Sequence, residues 1–140
     1  IYGCLVGSEM CIRDSSYGEL RREGLEHERS RRLNPEISDE PYVSRCLGDE
    51  TPTVATSDYI CSVPEMIQRW IGGRYIVLGT DGFGRSDTRE ALRSFFEIDT
   101  NSIVVAAISA LEQEGKVPSG TVKKELEKRN LSKERIDKTE

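Results

Sequence analysis

The sequence predicts an α/β fold, on three observations. Residues 51–57 (TPTVATS) and 74–78 (RYIVL) are short runs rich in β-branched and aromatic residues, which suits strands. After each run stands a helix-start pattern, Ser62 with Glu65 and then Asp87 with Glu90, in which a hydroxyl or carboxylate and a glutamate satisfy the free amides of a first helical turn. The resulting strand, helix, strand, helix order implies parallel strands joined by a crossover.

Taken in order, the first stretch, IYGCLVGSEMCIRD, has neither helical nor strand periodicity and lacks the basic start and long apolar core of a secretory signal. The words GCLVGSEMCIRDS resemble translated adaptor sequence that prefixes some reading frames assembled from environmental sequencing, so residues 1–14 are set apart as a non-native or disordered prefix to a domain of residues 15–140. Ser16 and Glu19 form a capping box that predicts a helix start, running through many charges toward Asn34 and Pro35 as a covering helix. Residues 34–52, with three prolines, read as an irregular connection holding a short helical turn around Val43 to Leu47. The segment after Ser62 places Val63, Ile67 and Trp70 on one helical face, and Gly72 and Gly73 end it. Asp87 caps a helix through ALRSFF. Asp99 caps another through NSIVVAAISALEQE, where an apolar set extending to Leu111 favours helix over strand, and Gly115 closes it. Val122 and Leu126 define a last amphipathic turn, beyond which the charged end past about residue 130 is expected to fray.

Composition narrows the function. At 140 residues one core is expected. The 20 basic and 25 acidic residues are interleaved without a basic stripe, which argues against a nucleic-acid partner. No apolar run approaches the ~18 residues a membrane span needs. Cys4, Cys11, Cys46 and Cys61 form no CxxC pair and the single His27 has no thiol beside it, so no metal site is predicted. Sparse cysteines suggest reduced thiols and a cytoplasmic setting.

The segment with most chemical interest is LGTDGFGRSD, residues 78–87. Gly79, Gly82 and Gly84 read GxxGxG, the reverse of a dinucleotide fingerprint, and no acid follows at the distance such a site needs. A strand, a glycine turn and a capped helix could still offer amides and Arg85 to an anion, although a tight turn explains the same residues. His27 reads as a solvated histidine on a charged helix. Cys46 and Cys61 are as readily small core residues as nucleophiles, and Asp58, Asp81 and Asp87 as readily cap helices or shape turns as converge.

SSYGELRREGLEHER, TPTVATSDYICSVPEMIQRW, YIVLGTDGFGRSDTREALRSFFEID and IVVAAISALEQEG, in that order, resemble the carboxyl-terminal domain of the homodimeric pyruvate dehydrogenases. These are the thiamine-diphosphate-dependent first components of the pyruvate dehydrogenase complex, and the resemblance covers residues 15 to about 130. It implies a transketolase C-terminal-like domain, with a mixed, mostly parallel sheet and helices on both faces. The family's first strand belongs before Ser16, where the prefix stands, so that strand is expected to be missing. It implies an enzyme that decarboxylates pyruvate and passes the acetyl group to a lipoyl group on the acyltransferase component. Thiamine diphosphate and magnesium belong to upstream domains. The GDG signature with its distant asparagine and the activating glutamate are absent here, so no catalytic, cofactor-binding or metal residue is carried over and the chain alone is expected to bind no cofactor. One departure stands at Ser30 and Arg31, where the family has tryptophan and asparagine after the match to Glu28 and Arg29.

Two functions therefore compete: a domain serving assembly, and an independent small α/β module that binds an anion or a protein through residues 79–87. For the first, the expected partners are the upstream domains of the same polypeptide, the second subunit of a homodimer and the acyltransferase, with no nucleic acid and no membrane. The contact is placed on Thr80, Asp81, Gly82, Phe83, Gly84, Arg85, Ser86 and Asp87, with Phe83 as apolar anchor, Arg85 pairing with an acid or carbonyl opposite, and Asp87 capping the next helix.

Overall fold

A computed structural model describes residues 10–129 and 131, with backbone only for residues 10–15. The elements in order are α1 (Met10–Leu33), α2 (Tyr42–Leu47), β1 (Thr53–Thr56), α3 (Ser62–Glu65), a 3-10 turn (Gln68–Trp70), β2 (Tyr75–Leu78), α4 (Arg89–Phe95), α5 (Thr100–Gln113) and α6 (Thr121–Lys128). The described chain forms two compact units. One takes the residues up to Thr51 together with Ser62–Gly73, and the other takes Pro52–Cys61 and the chain from Arg74 onward.

In the first unit, α1 packs with α2 and α3 around Val43, Ile67 and Trp70, with Tyr17, Leu20, Leu25 and Ile71 against them. The Trp70 ring lies on Gly24, where an added Cβ would come within 2.5 Å of it. Its indole N–H donates to Glu28 Oε1 at 2.9 Å, its carbonyl accepts from Ser44 Oγ at 2.9 Å, and Arg69 Nε pairs with the same Glu28 oxygen at 3.2 Å. The polar edge of the ring is thus satisfied while its faces are enclosed, as a buried indole requires.

Two helix starts differ from the sequence expectation. Helix α1 is already running at Met10, so Ser16 and Glu19 lie within it rather than at its end, and the Glu19 carboxylate accepts from Arg22 at 2.6 Å instead. Ser62 and Glu65 belong to a single turn, not a capped helix. From Met66 onward the amides bond three residues back (Met66 to Val63, Ile67 to Pro64, Trp70 to Ile67, Ile71 to Gln68), so the segment tightens into a 3-10 turn. Ile67 and Trp70 enter the core as expected, while Val63 is only half-buried. The prefix expectation falls partly outside the described residues, at 1–9, as does the frayed end at 130 and 132–140.

In the second unit β1 and β2 pair in parallel, Thr53 opposite Tyr75 and Thr56 opposite Leu78, as the strand–helix–strand order requires. These two strands make the sheet among the described residues, the parallel portion of the larger one expected, and α5 packs against both. Asp99 caps α5 by accepting from Ser102 N at 2.9 Å. Both α4 and α5 end in Schellman turns: Ile98 N bonds to Arg93 O with Glu97 at φ 57°, and Lys116 N to Leu111 O with Gly115 at φ 70°. Read as one uninterrupted helix, Arg89–Gln113 has the length and apolar character to cross a membrane. The Glu97 turn and the Asp99 cap divide it into helices of 7 and 14 residues, each short of the ~20 a span needs.

Candidate functional site

The segment after β2 leaves the carboxyl end of the parallel pair, where α/β folds present their working loops. It is laced to the loop that leaves β1. Thr80 N donates to Tyr59 O at 2.9 Å, Thr80 Oγ1 donates to Asp58 O at 2.8 Å, and Cys61 N donates to Asp81 Oδ1 at 2.9 Å. Gly79 is buried between them, and a Cβ there would lie 2.6 Å from Tyr59 O and 3.0 Å from Cys61 N and Sγ. The absence of a side chain at Gly79 is what allows the two loops to meet.

Beyond Asp81 the loop turns outward. Gly82 has φ 116°, and residues 81–90 are all exposed. Phe83 is 70% exposed, and from the β1 loop Tyr59 and Ile60 are 48% and 53% exposed. The two loops together therefore present aromatic and aliphatic side chains at one end of the sheet. Sequence patterns pointed to Phe83 but not to Tyr59 or Ile60, because the hydrogen bonds that join the loops span about twenty residues of chain and leave no local signal.

Arg85 turns back, its guanidinium over the Phe95 ring at 4.2 Å from the centroid, a cation–π contact. Asp87 does not cap α4. The cap is Thr88, whose Oγ1 accepts from Ala91 N at 3.3 Å, while Asp87 Oδ1 accepts from Thr88 N at 2.7 Å. The reason is spacing: only the residue directly before the helix can reach the amide three residues on. Thr88 thus takes one amide of the first turn of α4, and Arg85 stacks on Phe95.

The other candidates take structural places. His27 is not solvated: its side chain is 11% exposed, with Nε2 3.1 Å from Asp39 Oδ1. Cys46 is exposed and Cys61 half-buried, neither in a disulfide, while the side chains of Cys4 and Cys11 lie outside the described residues. Asp58 contributes its carbonyl and Asp81 its carboxylate to the lacing, so neither carboxylate arrangement resembles a general acid–base pair. Among the described residues no group of three or more His, Cys, Asp or Glu is placed to hold a metal ion.

The chain is similar to proteins named pyruvate dehydrogenase E1 component. It is 42% identical over 123 residues to that of Pseudomonas aeruginosa, covering 86% of this chain and 14% of the relative. With that of Mycolicibacterium smegmatis it is 45% identical over 105 residues, 74% of this chain and 11% of the relative. With that of Escherichia coli K12 it is 38% identical over 134 residues, 94% of this chain and 15% of the relative. It thus spans a small part of the length of each. Residues 13–99 match the transketolase-like TK C-terminal domain, a stretch that contains the Trp70 core, both parallel strands and the laced loops. A match over more than half of the chain, on a fold with the parallel pair that such a domain needs, means that this chain belongs to the transketolase-like C-terminal domain family.

Proposed function

We propose that this chain is the carboxyl-terminal part of a pyruvate dehydrogenase first component and that its own work is assembly rather than chemistry. The observation that supports the enzyme assignment is the run of relatives bearing that name, matched over most of this chain. The whole enzyme would decarboxylate pyruvate and transfer the acetyl group to a lipoyl group of the acyltransferase, as a cytoplasmic homodimer. Thiamine diphosphate with magnesium would supply the carbanion chemistry from the upstream domains.

What this chain's residues do is hold a surface in place. Thr80 and Asp81 fix the loop root to the β1 loop, Arg85 on Phe95 braces its far side, and Phe83, Tyr59 and Ile60 are left exposed between. Exposed aromatic and aliphatic groups on a rigid base suit a contact with the preceding domain or the second subunit. In the intact enzyme, Phe83→Ala should lower turnover and weaken assembly together, with cofactor affinity retained. Sedimentation and turnover on the same variant test this, and full activity with unchanged assembly would reduce the loop to a turn. This chain alone should neither decarboxylate pyruvate nor bind thiamine diphosphate, and saturable binding of the cofactor by calorimetry would overturn that part.

A further inference from the structure

We propose that the Glu112 carboxylate is a clasp that holds α6 as a releasable strap on α5, able to open while the parallel sheet keeps its packing. Helix α6 lacks a cap of its own, because its N-cap is Gly120, at φ 89° and with no side chain to offer. Two amides at its start turn instead to α5: Gly120 N donates to Glu112 Oε1 at 2.9 Å and Val122 N to Glu112 Oε2 at 2.8 Å. Each carboxylate oxygen takes one amide, and the negative charge sits where the helix dipole favours it. At the other end Arg129 Nη1 donates to Asn101 Oδ1 at 2.7 Å, and its Nε pairs with Glu125 Oε2 at 3.1 Å. Asn101 lies near the start of α5 and Glu112 near its end, so the two helices run antiparallel and are tied at both ends.

Between the ties the hold is shallow. No residue of α6 is fully buried, and Val122 and Leu126 are only half-buried. A helix of eight residues is too short to persist alone, so without its ties α6 should loosen as a whole. Helix α5 does not depend on the strap in the same way, since it also packs on β1 and β2. The pair therefore divides into a fixed helix and a held one, with Gly115 at the turn between them.

Amide exchange on the 140-residue chain at neutral pH, with Glu112→Ala, Glu112→Gln and Arg129→Ala, tests the clasp. In Glu112→Ala the amides of α6 should exchange about tenfold or more faster while those of β1 and β2 stay within about twofold of the parent. Glu112→Gln keeps an acceptor and loses the charge, so it should fall between. Arg129→Ala should speed the last turn of α6 more than the first. Unchanged α6 protection in both Glu112 variants would overturn the proposal, as would loss of protection in β2 equal to that in α6, which would make Glu112 a general support of the unit.

Discussion

In the first unit the indole of Trp70 is enclosed by Gly24 and the core residues around it, and its N–H is matched by Glu28. In the second unit every residue of β2 keeps partial exposure, and on α5 only Ala110 is fully buried. Parallel strands are ordinarily covered on both faces, and a helix that is apolar nearly all round is ordinarily interior. The difference separates a core that is complete within these residues from a sheet and helix with the composition of an interior and the exposure of a surface. The first should respond to substitution as a closed core does, and the second, outside its buried Phe96, Ile98 and Ala110, through its loops, caps and ties.

The largest effect should come from the closed core. Trp70→Ala removes a buried ring that is 7% exposed, and costs about 3–5 kcal/mol by the usual measure of large-to-small aromatic changes. Gly24→Val should approach it, because the indole cannot move aside without leaving its Glu28 partner and the core around it. Denaturant titration followed by circular dichroism measures both, and a loss below about 1 kcal/mol in Trp70→Ala would mean the first unit is as open as the second.

In the second unit the strongest single response should be at Gly79. Its added Cβ would meet backbone, Tyr59 O and Cys61 N, rather than a side chain that can swing away. Gly79→Ala should cost about 1–3 kcal/mol, the range for forced overpacking, and should speed exchange at the Thr80 and Cys61 amides. If those amides keep their protection, the lacing does not depend on the close approach.

That lacing marks the limit of what was legible in the chain. The strands at 53–56 and 75–78, their parallel pairing and the Asp99 cap follow from local composition and short spacings, and the structure has them. Local patterns failed where two readings fit the same residues. Ser16 with Glu19 is a cap only if the helix begins there, and α1 is already helical at Met10. Asp87 and Thr88 are both good caps one residue apart, and Glu97 takes the left-handed turn usually left to glycine because Ile98 is drawn into the interior. The exposed surface was half legible for another reason: Phe83 lies in a conspicuous motif, whereas the loop carrying Tyr59 and Ile60 is tied to its root through hydrogen bonds that no short window contains.

The neighbouring caps make the next, smaller test. Thr88→Ala should cost ~1 kcal/mol, and Asp87→Asn only a few tenths, because asparagine keeps an oxygen for the Thr88 amide. Thermal unfolding of the two variants checks the order. The reverse order would return the cap to Asp87.

A slighter effect, present at neutral pH and lost in acid, belongs to Glu112. The amides of Val122 and Gly120, with a lesser contribution from Thr121, hold its carboxyl below the ordinary value of 4.5. A carboxyl depressed in the folded state stabilises above its unfolded value and loses that contribution as pH falls through the folded one. The parent should therefore exceed Glu112→Gln in stability at neutral pH, and the gap should close below about pH 4.5. Unfolding followed across pH 3–7 reads the gap, and a constant difference would show that the amides do not favour the charged form.

The smallest effect on the chain by itself should be at Phe83, and its smallness is informative. A ring that is 70% exposed removes little apolar surface from water when this chain folds, so Phe83→Ala should lie within about 0.5 kcal/mol of the parent. The same substitution in the intact enzyme should weaken assembly if the surface formed with Tyr59 and Ile60 is covered there. The two measurements must be read together. A neutral effect on the chain with a loss in the enzyme means the side chain belongs to a contact made elsewhere in the polypeptide or by a second copy. A loss already in the isolated chain would mean that Phe83 supports the loop itself, and the contrast between a closed first unit and an open second one would narrow accordingly.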